Sequence, residues 1–110
     1  MTRLPILAAA LCATAILPLS FAQSDKAKPD AGKRIFVEKC SDCHYADSKE
    51  EKTGPGLKGI KDGLLPSGRK ATHDNILETV NEGFGDEMPA FADVLSDKER
   101  EDLISYVLTL

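Results

Sequence analysis

Hydrophobic positions in the first third of the chain predict a helix that runs into two cysteines. In "DAGKRIFVEKC" the residues Gly32, Phe36 and Cys40 recur at the spacing of one helix face. Asp30 is the expected N-cap of this helix. A glycine inside a helix costs on the order of 1 kcal/mol relative to alanine, so Gly32 predicts a close approach by another backbone.

A second helix is predicted in "HDNILETVNEGF". Ile76, Leu77 and Val80 share one face, Asp74 is the expected cap, and Gly83 stands where a helix-ending glycine belongs.

The last helix has the clearest pattern. Ser96 and Glu99 match a capping box, and an apolar stripe bordered by Tyr106 follows. The stripe consists of Leu103, Ile104, Val107 and Leu108. Because no strand pattern competes with these helices, we predict an all-α fold with one domain over residues 30–110.

Two loops separate the predicted helices. From Tyr45 to Ala71 the chain has little periodicity and contains five glycines and two prolines, which predicts a loop with one or two short helical turns. Loops of this length are uncommon in small domains unless they wrap around something. The second loop is "GFGDEMPAFADV".

The start of the chain has the pattern of a secretory signal peptide. Arg3 precedes an apolar run that extends to Phe21, and the small residues Ser20 and Ala22 fit a cleavage site after Ala22. The alternative is an uncleaved membrane anchor. The apolar run is near the lower limit for a span, and Pro18 interrupts its end.

Cleavage after residue 22 changes the charge and the cysteine count. Of 110 residues 88 remain, beginning with a segment, 23–29, that we expect to be flexible. Loss of Arg3 leaves 13 basic and 18 acidic side chains, a net charge of −5. This charge argues against binding to nucleic acid or to an anionic membrane surface. Cys12 leaves with the signal peptide, so Cys40 and Cys43 remain, and no membrane span is expected.

The segment Cys40-Ser41-Asp42-Cys43-His44 admits four interpretations. A disulfide would close a very small loop and stabilise little. Structural zinc takes four ligands, and a second cysteine pair is missing. A thiol–disulfide site usually lies at a helix N-terminus after a strand, whereas here a helix leads into the motif.

The fourth interpretation is covalent haem attachment, and the sequence favours it. Cys-x-x-Cys-His is the signature of c-type haem, in which Cys40 and Cys43 bond the vinyl groups and His44 binds the iron. The predicted export provides an oxidising compartment. Trp is absent, and a domain this small and poor in aromatic residues usually needs a disulfide, a metal or a large cofactor.

Met88 is the expected second axial ligand of the iron. It is the single methionine left after the predicted cleavage, it lies in a loop, and Pro89 favours an extended backbone at Met88. A neutral thioether raises the reduction potential of haem. His73 is the rival ligand, but its polar neighbours predict that it faces solvent.

The ordered set of motifs resembles the small bacterial class I cytochromes c. These motifs are "GKRIFVEKCSDCH", "GPGL", "EMPAF" and "LSDKEREDLISYV", and they span nearly the whole mature chain. The resemblance implies three to four main helices wrapped around one covalently bound haem c, with Met88 as an axial ligand. It also implies that Gly32 and Phe36 cross the last helix at Tyr106, that Pro55 accepts a hydrogen bond from His44, and that Leu57 packs on the haem.

The predicted function is that of a soluble periplasmic electron carrier between a redox donor protein and an acceptor protein, without enzymatic activity. The alternatives are a haem subunit of a larger respiratory or dehydrogenase complex, and a haem sensor or peroxidase with an open sixth site. Arg69 and Lys70 are candidate partners of the haem propionates. Acidic residues flank Met88 and favour a basic docking surface on the partner. They are Glu82, Asp86, Glu87 and Asp93.

Overall fold

The described part of the chain is a three-helix structure. The computed structural model describes Thr2, residues 12–15 and residues 26–110. The elements of residues 26–110 are α1 (Pro29–Lys39), a short 3₁₀ helix (Ile60–Asp62), α2 (His73–Glu82) and α3 (Asp97–Val107). These residues form no strand, only two isolated β-bridges, so the all-α prediction is confirmed. The predicted cleavage point after Ala22 lies outside the described residues.

Two predicted helix caps are wrong. Helix α1 begins at Pro29 with Lys28 as N-cap, so Asp30 lies inside the first turn. Proline is favoured at the first helical position because its fixed φ suits the helix and its missing N–H is not needed there. At α2 the hydroxyl of Thr72 accepts a hydrogen bond from the backbone N–H of Asn75, which leaves Asp74 in the first turn.

The other predicted helix ends are confirmed. The Ser96 hydroxyl accepts from Glu99 N–H at 3.1 Å, and the Glu99 carboxylate accepts from Ser96 N–H at 3.0 Å. Gly83 ends α2, and its N–H donates to the carbonyl of Thr79 at 2.8 Å. The single 3₁₀ helix accounts for the short helical turn expected in the first loop.

Helices α1 and α3 cross where the resemblance placed the contact. A Cβ on Gly32 would lie 1.9 Å from the carbonyl oxygen of Asp102, so only glycine fits at the crossing. One turn further on, the rings of Phe36 and Tyr106 lie 5.5 Å apart at 59°, within the range of favourable aromatic pairs. The predicted close approach at Gly32 is therefore confirmed.

A buried carboxylate also joins the two helices. Asp102 Oδ1 accepts from Lys28 N–H at 2.8 Å and from Lys98 Nζ at 2.5 Å. Burial alone would raise the pKa of Asp102, but these two hydrogen bonds hold it below its ordinary value. The bond to Lys28 satisfies an N–H at the start of α1 that the helix itself leaves without a partner.

The apolar core is small and draws on all three helices. Its buried members are Phe36, Ala71, Ile76, Val80, Leu95, Leu103, Ile104 and Val107. Partly buried apolar side chains surround it, among them Leu57, Leu77 and Phe91. These side chains leave apolar surface that a large cofactor could cover. In the described part of the chain, no helix combines the length and the apolar content needed to cross a bilayer.

Candidate functional site

The Cys40–His44 segment continues directly from the end of α1. The backbone N–H groups of Cys40 and Ser41 both donate to the carbonyl of Phe36, at 2.8 and 2.9 Å. The N–H groups of Cys43 and His44 then donate to the carbonyl of Cys40, at 3.1 and 2.9 Å. Because helix α1 is packed on α3, these turns fix the two cysteines and the histidine relative to the core.

Both cysteines are partly buried free thiols. Burial, helped by the neighbouring Cys43, raises the pKa of Cys40 to about 11. Catalytic redox thiols have lowered pKa values, because the thiolate is the nucleophile. Cys40 has the opposite property, so it is unsuited to be the attacking thiol of a redox pair.

His44 is oriented by a backbone carbonyl. Its Nδ1 lies 2.7 Å from the oxygen of Pro55. Because a carbonyl oxygen only accepts, Nδ1 carries the proton and Nε2 keeps its lone pair for a metal. Such bonds fix the ring of a metal-binding histidine and raise its basicity. The hydrogen bond implied by the resemblance is therefore confirmed.

Gly54 is a site residue that the sequence reasoning missed. A Cβ at this position would lie 2.5 Å from Cε1 of His44 and 2.9 Å from its Nδ1. The Gly54 N–H also donates to the carbonyl of Cys43 at 2.8 Å. Gly54 therefore lets the loop approach the imidazole closely enough for the Pro55 carbonyl to accept a hydrogen bond from it. The signal in the sequence was the glycine before the proline in "GPGL".

Lys52 holds the same loop against the cysteine segment. Its Nζ donates to the carbonyl of Ser41 at 3.0 Å and lies 4.2 Å from the centre of the Tyr45 ring. Leu57 N–H donates to the carbonyl of Tyr45 at 2.8 Å. The first part of the predicted long loop is thus bound to the motif it follows.

Met88 lies on a separate loop, in a tight turn after α2. Phe84 and Met88 exchange two backbone hydrogen bonds, of 3.1 and 3.2 Å. Gly83 has φ of 76°, and a Cβ there would lie 2.4 Å from the Met88 carbonyl oxygen. Phe91 N–H donates to the carbonyl of Val80 at 2.8 Å and fixes the far end of the loop to α2. Met88 itself is partly buried.

His73 has both ring nitrogens occupied, so it is a poor rival to Met88. Nδ1 lies 2.9 Å from Asp74 Oδ1, and Nε2 lies 2.6 Å from Glu101 Oε2. The hydrogen bonds to Asp74 and then to Glu101 raise the pKa of His73. The imidazole is partly exposed, as expected, but it bridges α2 and α3 rather than pointing freely into solvent. Arg69, a candidate propionate partner, pairs with Glu78 at 2.6 Å.

The donor set fits covalently attached haem. Two free thiols, an imidazole oriented through its Nδ1 and a rim of partly buried apolar side chains match what that cofactor needs. Among residues 26–110, no three His, Cys, Asp or Glu side chains converge in a way that could hold a metal ion. Fold and site together define the class of protein as a c-type cytochrome.

The chain belongs to a known cytochrome c family. The family model described as cytochrome c oxidase, cbb3-type, subunit III matches residues 27–107. The chain is 33% identical over 95 residues to "Cytochrome c type-1" of Ascaris suum, which covers 71% of this chain and 84% of that protein.

A solved structure and a larger relative extend the comparison. Cytochrome c6 of the diatom Phaeodactylum tricornutum superposes with a TM-score of 0.59 and 33% identity, covering 74% of this chain and 92% of that one. The chain is also 35% identical over 80 residues to the cbb3-type oxidase subunit CcoP of Rubrivivax gelatinosus. That match covers 72% of this chain and only 25% of CcoP.

These relatives identify the cofactor and the general role. The protein is a class I monohaem cytochrome c with covalently bound haem c, and it is an electron carrier. Its fold is the all-α fold of the cytochrome c6 neighbour.

Proposed function

We propose that this chain is a soluble periplasmic one-electron carrier, not an enzyme, that exchanges electrons between a donor protein and an acceptor protein. Cys40 and Cys43 would attach the haem covalently, and His44 and Met88 would bind its iron. The observation that carries the proposal is the 2.7 Å bond between His44 Nδ1 and the Pro55 oxygen, because it leaves Nε2 free. The cofactor, once attached, supplies a reversible change between ferric and ferrous iron.

The residues around the site have separate tasks. Two thioether bonds from Cys40 and Cys43 would prevent loss of the cofactor. Pro55 holds the imidazole in one orientation and raises its basicity, which would strengthen its binding to the iron. Met88 would fill the sixth position with a neutral ligand, which raises the reduction potential.

The location follows from the start of the chain rather than from the helices. Arg3, the apolar run and Ala22 favour export and cleavage. Export would place Cys40 and Cys43 in an oxidising compartment, which is where the haem-attachment interpretation expects them.

The partner's docking surface is proposed to be basic. Residues 71–97 contain seven Asp or Glu and neither Lys nor Arg. All four acidic residues near Met88 are exposed. They are Glu82, Asp86, Glu87 and Asp93. Such a field attracts a cationic partner, sets the orientation of encounter and weakens with salt.

Fractionation followed by a spectrum tests the carrier function. The chain is expressed in a host that exports and attaches haem, and the periplasmic protein is purified. We expect an intact mass of residues 23–110 plus one haem, and a low-spin ferric spectrum with the weak thioether-to-iron band. A high-spin ferric spectrum would instead support the open-site sensor or peroxidase.

A second candidate function is a haem subunit within a larger complex. It is favoured by the family match and by the 35% identity to one part of CcoP, a part that amounts to 25% of that subunit. Its site chemistry would be the same. Retention on washed membranes, or co-purification with an oxidase or dehydrogenase in the native host, would support the subunit. Recovery as a free periplasmic protein would support the carrier.

A further inference from the structure

The turn that contains Met88 exposes an aromatic side chain. The side chain of Phe84 is 47% exposed, and its backbone pairs with that of Met88. Asp86 and Glu87, both exposed, occupy the tip of this five-residue turn. The turn therefore presents an apolar surface beside two negative charges.

The turn is also held rigidly. Its ends are joined by the two Phe84–Met88 hydrogen bonds, and Gly83 packs against the Met88 carbonyl. The bond from Phe91 to Val80 fixes the loop to α2. A contact surface that is already ordered loses little conformational freedom on binding.

The surrounding charge restricts what could cover Phe84. The four acidic residues near Met88 are exposed, and residues 71–97 contain no Lys or Arg, so a second copy of the same surface would bring like charges together. An anionic membrane surface is repelled for the same reason. A protein surface with an apolar recess surrounded by Lys and Arg would cover the Phe84 ring and pair with the carboxylates of Asp86 and Glu87.

We propose that Phe84 is the apolar centre of the docking surface for such a basic redox partner, with Asp86 and Glu87 as its charged rim. The inference rests on the proposed carrier function and adds the residue that makes the contact. Aromatic residues often dominate the binding energy of interfaces, while rim charges act mainly on encounter.

Electrochemistry of the haem-loaded protein tests the surface. Gold electrodes coated with ammonium-terminated, mixed ammonium and methyl, or carboxylate-terminated monolayers imitate partners of known chemistry. We expect fast electron exchange on the ammonium layer, faster exchange on the mixed layer, and little on the carboxylate layer. Phe84→Ser should lose the gain from the methyl groups, which should reduce the apparent affinity for the mixed layer about tenfold, as expected for an interface residue with a moderate contribution.

Two matched controls separate local from general effects. Val37 on α1 is 58% exposed, and Val37→Ser removes a similarly exposed apolar side chain from another surface. It should behave as wild type. The pair Asp86→Asn and Glu87→Gln should slow exchange on the ammonium layer. The exposed pair Glu50→Gln and Glu51→Gln removes the same charge elsewhere and should have little effect.

The outcomes distinguish failure of the docking proposal from failure of the carrier function. If Phe84→Ser matches wild type on every layer, the docking proposal is overturned while the carrier function stands. If that variant instead shifts the midpoint potential or the spectrum, Phe84 packs against the haem and is not a docking residue. A wild-type chain that takes up no haem would overturn the carrier function itself.

Discussion

The segments that contain His44 and Met88 are held in different ways. The imidazole of His44 is fixed directly, by the Pro55 carbonyl on Nδ1 and by Gly54 against the ring. Met88 is held through its backbone, by the pairing with Phe84 and the packing of Gly83. The side chain of His44 is therefore oriented by direct contacts. The position of the Met88 sulfur depends instead on the conformation of the loop that contains it.

Charge separates the same two regions. Residues 26–70 contain eleven Lys or Arg against seven Asp or Glu, whereas residues 71–97 contain seven acidic residues and no Lys or Arg. Because exposed charges act over roughly a Debye length of 8–10 Å, this difference affects a partner only where it docks close to one of the two regions. The proposed docking surface around Met88 lies in the acidic region.

Removing the cysteines should have the largest effect. Cys40→Ala with Cys43→Ala abolishes covalent attachment, and the small core should then fail to fold, because a bound cofactor stabilises only the native state. Haem staining in a denaturing gel and helical circular dichroism measure the two effects. Cys12→Ala is the control and should change neither. Wild-type helical content in the double variant would contradict the prediction.

Removing the thioether should come next. Met88→Ala should keep the covalent haem but lower the midpoint potential by on the order of 0.1 V, part of the roughly 0.8 V that axial ligands span. The iron should also bind added imidazole more readily. Potentiometric titration gives the midpoint, and an unchanged value would show that Met88 is not a ligand.

Crowding the imidazole tests the direct support of His44. Gly54→Ala places a methyl group 2.5 Å from Cε1, so the ring or the loop must shift. We expect a loss of about 1–3 kcal/mol in the free energy of unfolding, the usual cost of overpacking. Gly63→Ala, whose Cβ would meet only ordinary contacts beyond 3.5 Å, is the control. Equal stability of the two variants in denaturant unfolding would contradict the support role.

Acid should weaken the junction of α1 and α3. The pKa of Asp102 is lower in the folded state than in the unfolded chain, so its contribution is present above about pH 4 and is lost as pH falls through the folded value. Asp102→Asn should cost about 1–3 kcal/mol near neutral pH, as expected for hydrogen bonds to a charged group. The same substitution should also make the free energy of unfolding depend less steeply on pH in the acid range, the acid limb of the stability curve. An acid limb identical to that of wild type would rule this contribution out.

The bridge between α2 and α3 should show the smallest effect, with the opposite sign. The pKa of His73 is raised in the folded state, so its contribution is present below about pH 6.5 and is lost as pH rises through the folded value. Because the side chain is partly exposed, the effect is on the order of a few tenths of a kcal/mol. Thermal unfolding should show that this stabilisation decreases from pH 6 to pH 8 in wild type. The decrease should be absent in His73→Gln.

Local patterns predicted the helices well but not all of their first residues. The capping box of Ser96 and Glu99 depends on residues three apart, so the sequence displays it fully. At α2 both Thr72 and Asp74 are cap-forming types two residues apart, and propensity does not choose between them. The structure uses Thr72 because its hydroxyl reaches the N–H of Asn75.

Contacts between distant residues were harder to predict. Neither the bond from Lys28 to Asp102, 74 positions apart, nor that from His73 to Glu101, 28 apart, leaves a local pattern. The Pro55 bond to His44 was predicted through the family resemblance, and the role of Gly54 was missed because it depends on the distance between loop and ring. The cofactor could be predicted from the motif, whereas most of the contacts that support the motif depend on the fold.

Proton NMR of the ferrous haem-loaded protein tests most directly whether the two regions meet at one iron. A methionine bound to low-spin iron lies over the haem ring, whose ring current moves its methyl signal far upfield. Met88 is the single methionine after the predicted cleavage, because Met1 is removed. We predict one such upfield methyl signal in wild type and none in Met88→Ala. Its absence from the wild-type spectrum would contradict the proposed ligation by His44 and Met88.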